Sequence, residues 1–582
     1  MAEQANANPD RLATIRRLYL YLIAFISLIA GLSATYGLIE VLTRLWLAPD
    51  TMLDVNPSGF ARNAIARQGG FLIVSAPIFL IHWRFIRRLT AQPGESAAAL
   101  RKLFLYAVLA FTGFISVRAL YLLIEGSLEI LLGNPMPEGI ELPGRWQAQF
   151  LHAGVHLALF LAFTRLLQVD GDLGRESGWA GSLRRIFQLL AGLLGLSLLI
   201  SGAADALNLV WRVVLEPFGE ASMATVGFGW WERGLAGSLA AFLAGGLVWR
   251  LTNLYWNGLL AQHPPEGRMA LRRFYLYAAT VLSAAVTLVP VAMLLRLVVL
   301  LLLGEVDTGN VNIDDLTTPL GLLPVGALAW RWHWLQVLAE AERYGDTRES
   351  EFVRRLYYYA VAATGLLLLW IGLVDLLRAL LDFLLIGGQS IEKGFRAYQL
   401  SSGLSLIAVG APVWSLHWRT TQRAAVQDNE TGRAERASWP RRLYLYGIAL
   451  VGALLILFEL ARVVYRLLLW ALGDPQADVF GDETQGGLVR ALTAAAFWAV
   501  HLNAIRSDSR MVDETVDVEP PDGDHDELDA PRRREELLAR IDTLETELSA
   551  LRVELVGLEN EVEEKEELRA DEEDNNRRDA GK

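Results

Sequence analysis

The residues best equipped for chemistry in this 582-residue chain are charges set into otherwise apolar stretches. Glu40 and Arg44 stand four apart, as do Glu125 and Glu129. Asp205, Asn208 and Arg212, then Asp375, Arg378 and Asp382, then Glu459, Arg462 and Arg466 advance by three, four or seven. On a helix those steps place each set on one face, with acids mostly ahead of bases, so that neighbours can neutralise one another. Two readings follow. Ionisable groups at membrane depth usually face a bundle interior or an aqueous cavity, so copies of the pattern would line a polar vestibule. An amphipathic extension resting at the outer interface, its charges snorkelling to water, is the simpler alternative. Arg118 and Arg296 have no obvious acid ahead of them in their own stretch, so each would need a partner from a neighbouring helix.

A second motif recurs at fixed spacing. Pro77, His82, Trp83 and Arg84 in PIFLIHWR match Pro412, His417, Trp418 and Arg419 in PVWSLHWR, and Pro324, Trp330 and Arg331 keep the same offsets. A proline loosens a helix one to two turns before its end, and Trp with Arg anchors that end among headgroups. The chemical alternative is a ring of His82, His333, His417 and His501 that binds a ligand or proton. The positions do not line up: His333 follows Trp330 and Arg331, and His501 has no tryptophan after it. His152 and His156, four apart, share a helical face, but no cysteine or nearby carboxylate completes a metal set. Packed, hydrogen-bonded histidines are expected there, with no metal and no cofactor.

Composition fixes what surrounds these residues. At 53% hydrophobic, 10% aromatic and 20% charged, with mean hydropathy +0.30, the chain is too apolar for a soluble protein of its length. The net charge of −12 resides mostly in loops and in the tail after residue 507. The chain has no cysteine, which excludes disulfides, thiolate metal sites and a cysteine nucleophile.

Dibasic pairs at Arg16-Arg17, Arg101-Lys102, Arg184-Arg185, Arg272-Arg273, Arg354-Arg355 and Arg441-Arg442 are spaced by 85, 83, 88, 82 and 87 residues. Each opens a run such as RRLYLY that continues for about thirty mainly apolar residues and ends near a glycine. A polar loop follows, then a second apolar stretch, at 66–86, 148–167, 233–252, 317–337, 400–420 and 487–505. Both are long enough to cross a hydrocarbon core of about 30 Å. The expected fold is an all-α integral membrane protein of six tandem two-helix hairpins, about twelve transmembrane helices, arranged as a ring or arc. Arginine collects at one end of every hairpin and acid at the other. The positive-inside rule therefore puts the basic ends and both termini in the cytoplasm of a multi-pass cell-membrane protein. The repeats occupy 13–97, 98–180, 181–268, 269–350, 351–437 and 438–507 after a cytoplasmic tail of residues 1–12.

Tandem RRLYLY helices, each followed by a helix carrying Pro, His, Trp and Arg, resemble the prokaryotic membrane module catalogued as domain of unknown function 5671. The likeness covers about residues 13–507 and is weakest in the third repeat, where RRIFQLLAG has lost the tyrosines. It implies a membrane module and supplies no activity.

Beyond the module, 508–530 is acidic, proline-bearing and poor in apolar residues, hence a disordered linker. In 531–570, Leu537, Leu544, Leu551 and Leu558 alternate with Ile541, Leu548, Leu555 and Val562 in steps of three and four. That seam predicts a coiled coil that self-associates or docks on a partner helix, ahead of a disordered tail at 571–582. No phosphate-binding glycine loop, HExxH or nucleophile elbow occurs, so no enzyme is expected; basic residues flank spans, so no nucleic acid is expected either. A membrane scaffold, sensor or assembly platform presenting the coiled coil is the leading functional reading. A pore or transporter using the late-helix charges is the alternative.

Overall fold

The computed structural model describes residues 7–47, 57–92, 95–96, 98–133, 145–170, 176, 178–215, 230–305, 312–386, 393–474, 481–516, 538, 540–543 and 549. Among these residues there are helices and no strand. Long helices pair in chain order: α1 (Ala7–Leu47) with α2 (Pro57–Leu89), α3 (Ala99–Leu131) with α4 (Arg145–Val169), and α5 (Gly178–Leu215) with α6 (Trp230–Gln262). Then α7 (Ala270–Leu302) pairs with α8 (Ile313–Tyr344) and α9 (Arg348–Ile386) with α10 (Lys393–Ala425). After the short α11 (Glu430–Ala437), α12 (Trp439–Ala471) and α13 (Asp482–Val516) join through side chains such as Glu459 and Arg490.

These runs are helical because a backbone in lipid must satisfy its own hydrogen bonds. Pro77, Pro324 and Pro412 lie inside helices that continue past them. The glycines expected near the ends of first helices do that work at Gly304 and Gly473, whose φ values of 70° and 82° suit a C-terminal cap. At the start of α8, Asn312 accepts a hydrogen bond from the Asp314 N–H at 3.1 Å.

Among the described residues, eleven helices are long and apolar enough to cross a membrane, against the twelve expected from the sequence. The exception is α8, where Asp314, Asp315, Arg331 and two prolines lower the hydropathy of a helix otherwise long enough to span. Large apolar side chains point outward, as with Ile73 at 74% exposure on α2, while Ser, Thr, Gly and Ala fill the helix contacts. That inversion of a soluble core marks a multi-pass membrane protein. In the first four hairpins the first helix packs on the second helix of the next: α1 on α4, α3 on α6, α5 on α8 and α7 on α10.

Residues 1–508 form one compact unit and 509–582 a second. Helix α13 continues through 508–516, where the sequence predicted the start of a linker. Of the predicted coiled-coil seam, Ile541 is helical and exposed; Leu537, Leu544, Leu548, Leu551, Leu555, Leu558 and Val562 lie outside the described residues.

Candidate functional site

The dibasic pairs that open the hairpins are buried or half-buried except at Arg16 and Arg442, and carboxylates hold one arginine of each pair in two alternating ways. In the first, third and fifth hairpins the second arginine reaches a glutamate in the following linker. Arg17 Nε donates to Glu95 at 2.6 Å, Arg185 to Glu266 at 2.7 and 2.9 Å, and Arg355 to Glu435 at 2.7 Å. In the second, fourth and sixth the first arginine reaches an acid near the end of its own hairpin. Arg101 binds Asp170 at 2.8 and 2.9 Å, Arg272 binds Glu340 at 2.5 and 3.2 Å, and Arg441 binds Asp508 at 2.7 and 2.9 Å.

Tyrosines tie one hairpin to the linker beyond it. Tyr106 donates to Glu176 at 2.7 Å and Tyr359 to Glu435 at 2.6 Å. Glu266 sits on a 3-10 turn, Pro264–Arg268, and accepts from both Arg184 and Arg185. Burial alone would raise its carboxyl, but hydrogen bonds from Arg185 and the charges of Arg184 and Arg185 outweigh that and hold it below the ordinary carboxylate range.

The histidines are used one hairpin at a time. Nδ1 of His82, His333, His417 and His501 lies 2.7–2.8 Å from the carbonyl four residues earlier, which can only accept, so Nδ1 carries the hydrogen. In three of them Nε2 then faces a tyrosine of the dibasic motif: Tyr19 for His82 and Tyr357 for His417 at 3.5 Å, and Tyr444 for His501 at 3.2 Å. Trp418 is not a headgroup anchor, because it is buried against Tyr444 and His501 with ring centroids 5.4 and 5.3 Å away. Trp83 likewise packs between Phe104 and Phe163, and Trp330 is half-buried. Arg84, Arg331, Arg419 and the three motif prolines are exposed. His156 is hydrogen-bonded to the His152 carbonyl at 2.9 Å. His152 departs from expectation: it is fully buried and stacked on Tyr36 at 3.7 Å, with no hydrogen bond to either ring nitrogen among the described residues.

The late-helix charges fall into several separate groups. Glu459 accepts from Arg490 at 2.9 and 3.0 Å, with Arg462 at 3.8 Å. Arg212 pairs with Asp314 of α8. Arg296 lies over the Tyr398 ring at 4.3 Å and Arg118 donates to Tyr36 at 2.8 Å, each finding an aromatic partner on a neighbouring helix. Arg378 stands against Gly486 of α13, Asp375 is half-buried on α9, and Glu40 is half-buried on α1. The side chain of Arg44 lies outside the described residues. Between α3, α5 and α6 such groups share a cavity, an open cleft of about 540 Å³ lined by Tyr121, Asp205, Asn208, Arg212, Arg233 and Gly237 among others. Glu125 accepts from Tyr121 at 2.9 Å beside it.

Two signals escaped the sequence reading. The clamping acids lie in or beside polar linkers, where a carboxylate looks like ordinary solvated charge. The helix seam is periodic: Ser27, Thr112, Gly195, Ser283, Gly365 and Gly452 stand ten residues after the second basic residue. Ala34, Ala119, Gly202, Pro290, Gly372 and Glu459 stand seventeen after it, and all twelve are buried. Aligning the six dibasic pairs residue by residue would have found them.

The family described as Domain of unknown function (DUF5671) matches residues 17–163, 185–317 and 355–500. The chain belongs to the DUF5671 family. Each DUF5671 match begins at an arginine that reaches a linker glutamate; 17–163 and 355–500 extend over two successive hairpins, and 185–317 over one hairpin, the first helix of the next and the start of its second. The matched DUF5671 unit is thus about twice the period read from the sequence, in step with the alternation of the clamps. No curated protein and no solved structure matches the chain.

Proposed function

We propose that this DUF5671 protein is a membrane scaffold, its consecutive hairpins forming a fixed platform in the cell membrane that presents the 531–570 coiled coil to the cytoplasm. The observation that carries this reading is the belt of buried ion pairs at the basic ends, where the side chains of Arg101, Arg184, Arg272 and Arg441 are at most 3% exposed. Breaking a buried pair strands a charge, so the belt resists the rocking that alternating access needs. At the other end Glu459 with Arg490 joins two helices through a partly buried pair, and Arg212 with Asp314 through a more exposed and therefore weaker one. Both termini are then cytoplasmic by the positive-inside rule, and the heptads offer a surface for self-association or a partner helix.

Deleting residues 531–570 is expected to lower the oligomeric mass of the detergent-purified protein, measured by light scattering, and an unchanged mass counts against the scaffold. A solute path is the second reading, favoured by the open cleft beside Asp205. Liposome flux that disappears when Glu40 and Glu459 are neutralised would support it.

A further inference from the structure

The cleft between α3, α5 and α6 contains a carboxylate that the fold leaves unanswered. Among the described residues Asp205 has no hydrogen bond and no ion pair, and the nearby cation Arg212 is turned to Asp314 on α8. Asp205 lies twenty residues past Arg185, about 30 Å along the helix at 1.5 Å per residue, so it stands at the far boundary of the hydrocarbon. Its side chain is exposed in the open cleft, so the charge is available to a cation that enters there.

The surroundings suit such a cation. Glu125 supplies a second carboxylate, and both acids are close enough to act electrostatically on the hydroxyl of Tyr121, whose ring can face a cation. Gly237 keeps the space open: a Cβ there would stand 3.2 Å from Glu125 Oε1 and 3.4 Å from the Tyr121 hydroxyl. Leu198, Leu209 and Ala241 give the cleft an apolar wall. Its volume of about 540 Å³ is within the range of small-molecule sites.

We propose that this cleft binds a primary ammonium group, with Asp205 as its counter-ion and Glu125 and Tyr121 as flanking acceptors. The ammonium can be borne by a free solute or by an aminophospholipid headgroup, since the site lies level with both. Binding forms no covalent bond; it exchanges the hydration of an ammonium for hydrogen bonds to fixed acceptors.

The test uses the full chain in nanodiscs of phosphatidylglycerol, which has no amine, titrated with hexylammonium and with hexanol by calorimetry. Hexylammonium is expected to bind at a single site and hexanol at least tenfold more weakly. Asp205→Asn, nearly isosteric, is expected to weaken hexylammonium at least tenfold while leaving the melting temperature within a few degrees, and Gly237→Leu to abolish binding by filling the cleft. Changing the lipid to phosphatidylethanolamine identifies the source: competition with hexylammonium assigns the site to the headgroup, and unchanged affinity assigns it to a solute. Equal binding of hexanol, or wild-type affinity in Asp205→Asn, overturns the proposal. A failure here leaves the scaffold reading untouched, because that is tested by oligomeric mass.

Discussion

Arg441 shows how a charge can be fully buried and fully engaged. Its guanidinium donates twice to Asp508, to Tyr359 at 3.2 Å and to Gln422 at 3.0 Å, and lies over the Trp418 ring at 5.8 Å. Asp508→Ala removes one side of this arrangement and leaves the cation in place, so a loss of about 3–5 kcal/mol is expected in chemical denaturation, on the scale of a broken buried pair. Tyr444→Phe deletes two neutral hydrogen bonds, one to His501 and one accepted from the Trp414 indole N–H at 3.2 Å, and should cost about 1–3 kcal/mol in the same assay. Glu266 makes a pH prediction with a definite sign. Its carboxyl is held below the ordinary value, so the stability it contributes is fully present above about pH 4.3, the unperturbed pKa, and is lost as pH falls through the lower folded value. Melting temperatures measured from pH 6 downward should therefore fall more steeply below that point in the wild type than in Glu266→Gln. Parallel curves for the two proteins would refute the assignment.

At the scale of helices, the close crossings depend on side chains being absent. A Cβ on Gly202 would stand 2.3 Å from the Phe242 nitrogen, and one on Gly372 would stand 2.8 Å from the Gly403 carbonyl oxygen. Both neighbours are backbone and cannot rotate away, so Gly202→Ala and Gly372→Ala are expected to destabilise by about 1–3 kcal/mol through forced helix separation. Gly447 of α12 has nothing within 4 Å of its missing Cβ. Gly447→Ala should be neutral or stabilising by up to about 1 kcal/mol, because alanine has the higher helix propensity. Equal effects at all three positions, by thermal melting in detergent, would mean that the seam does not set helix spacing. Glu459 occupies a seam position where the other hairpins carry Ala, Gly or Pro, and Arg490 opposite it neutralises the intrusion.

At the scale of the whole molecule, the natural absence of cysteine makes topology directly testable, since single cysteines report without background. Ser96→Cys and Asp428→Cys, in basic-end linkers, should be protected from an impermeant maleimide in intact cells. Glu305→Cys and Leu472→Cys, at the far ends of α7 and α12, should be labelled. Labelling at Ser96 in sealed cells would invert the orientation. The family matches begin at every second hairpin, which makes pairs of hairpins the units to test by dissection. Truncation after the linker at 346–347 leaves Asp346 with Arg273 and of its two arginines takes away only Arg354, so it should preserve helicity better than a cut at 264–268, which removes Glu266 from both Arg184 and Arg185. Circular dichroism of the two truncated proteins in detergent makes the comparison.

The sequence by itself determined the long apolar helices, their sequential pairing and the family, because the cost of an unsatisfied backbone in lipid and the repetition of RRLYLY are both written locally. It also marked Arg118 and Arg296 as needing partners from other helices, though not which ones. Tertiary structure alone decided that Tyr36 and Tyr398 answer them, that Trp418 turns inward, and that linker glutamates lock the arginines. It alone brought Asp205 into a cleft with Tyr121 and Glu125. These outcomes depend on which faces of separate helices meet, and helical spacing describes one face at a time without naming the surface opposite.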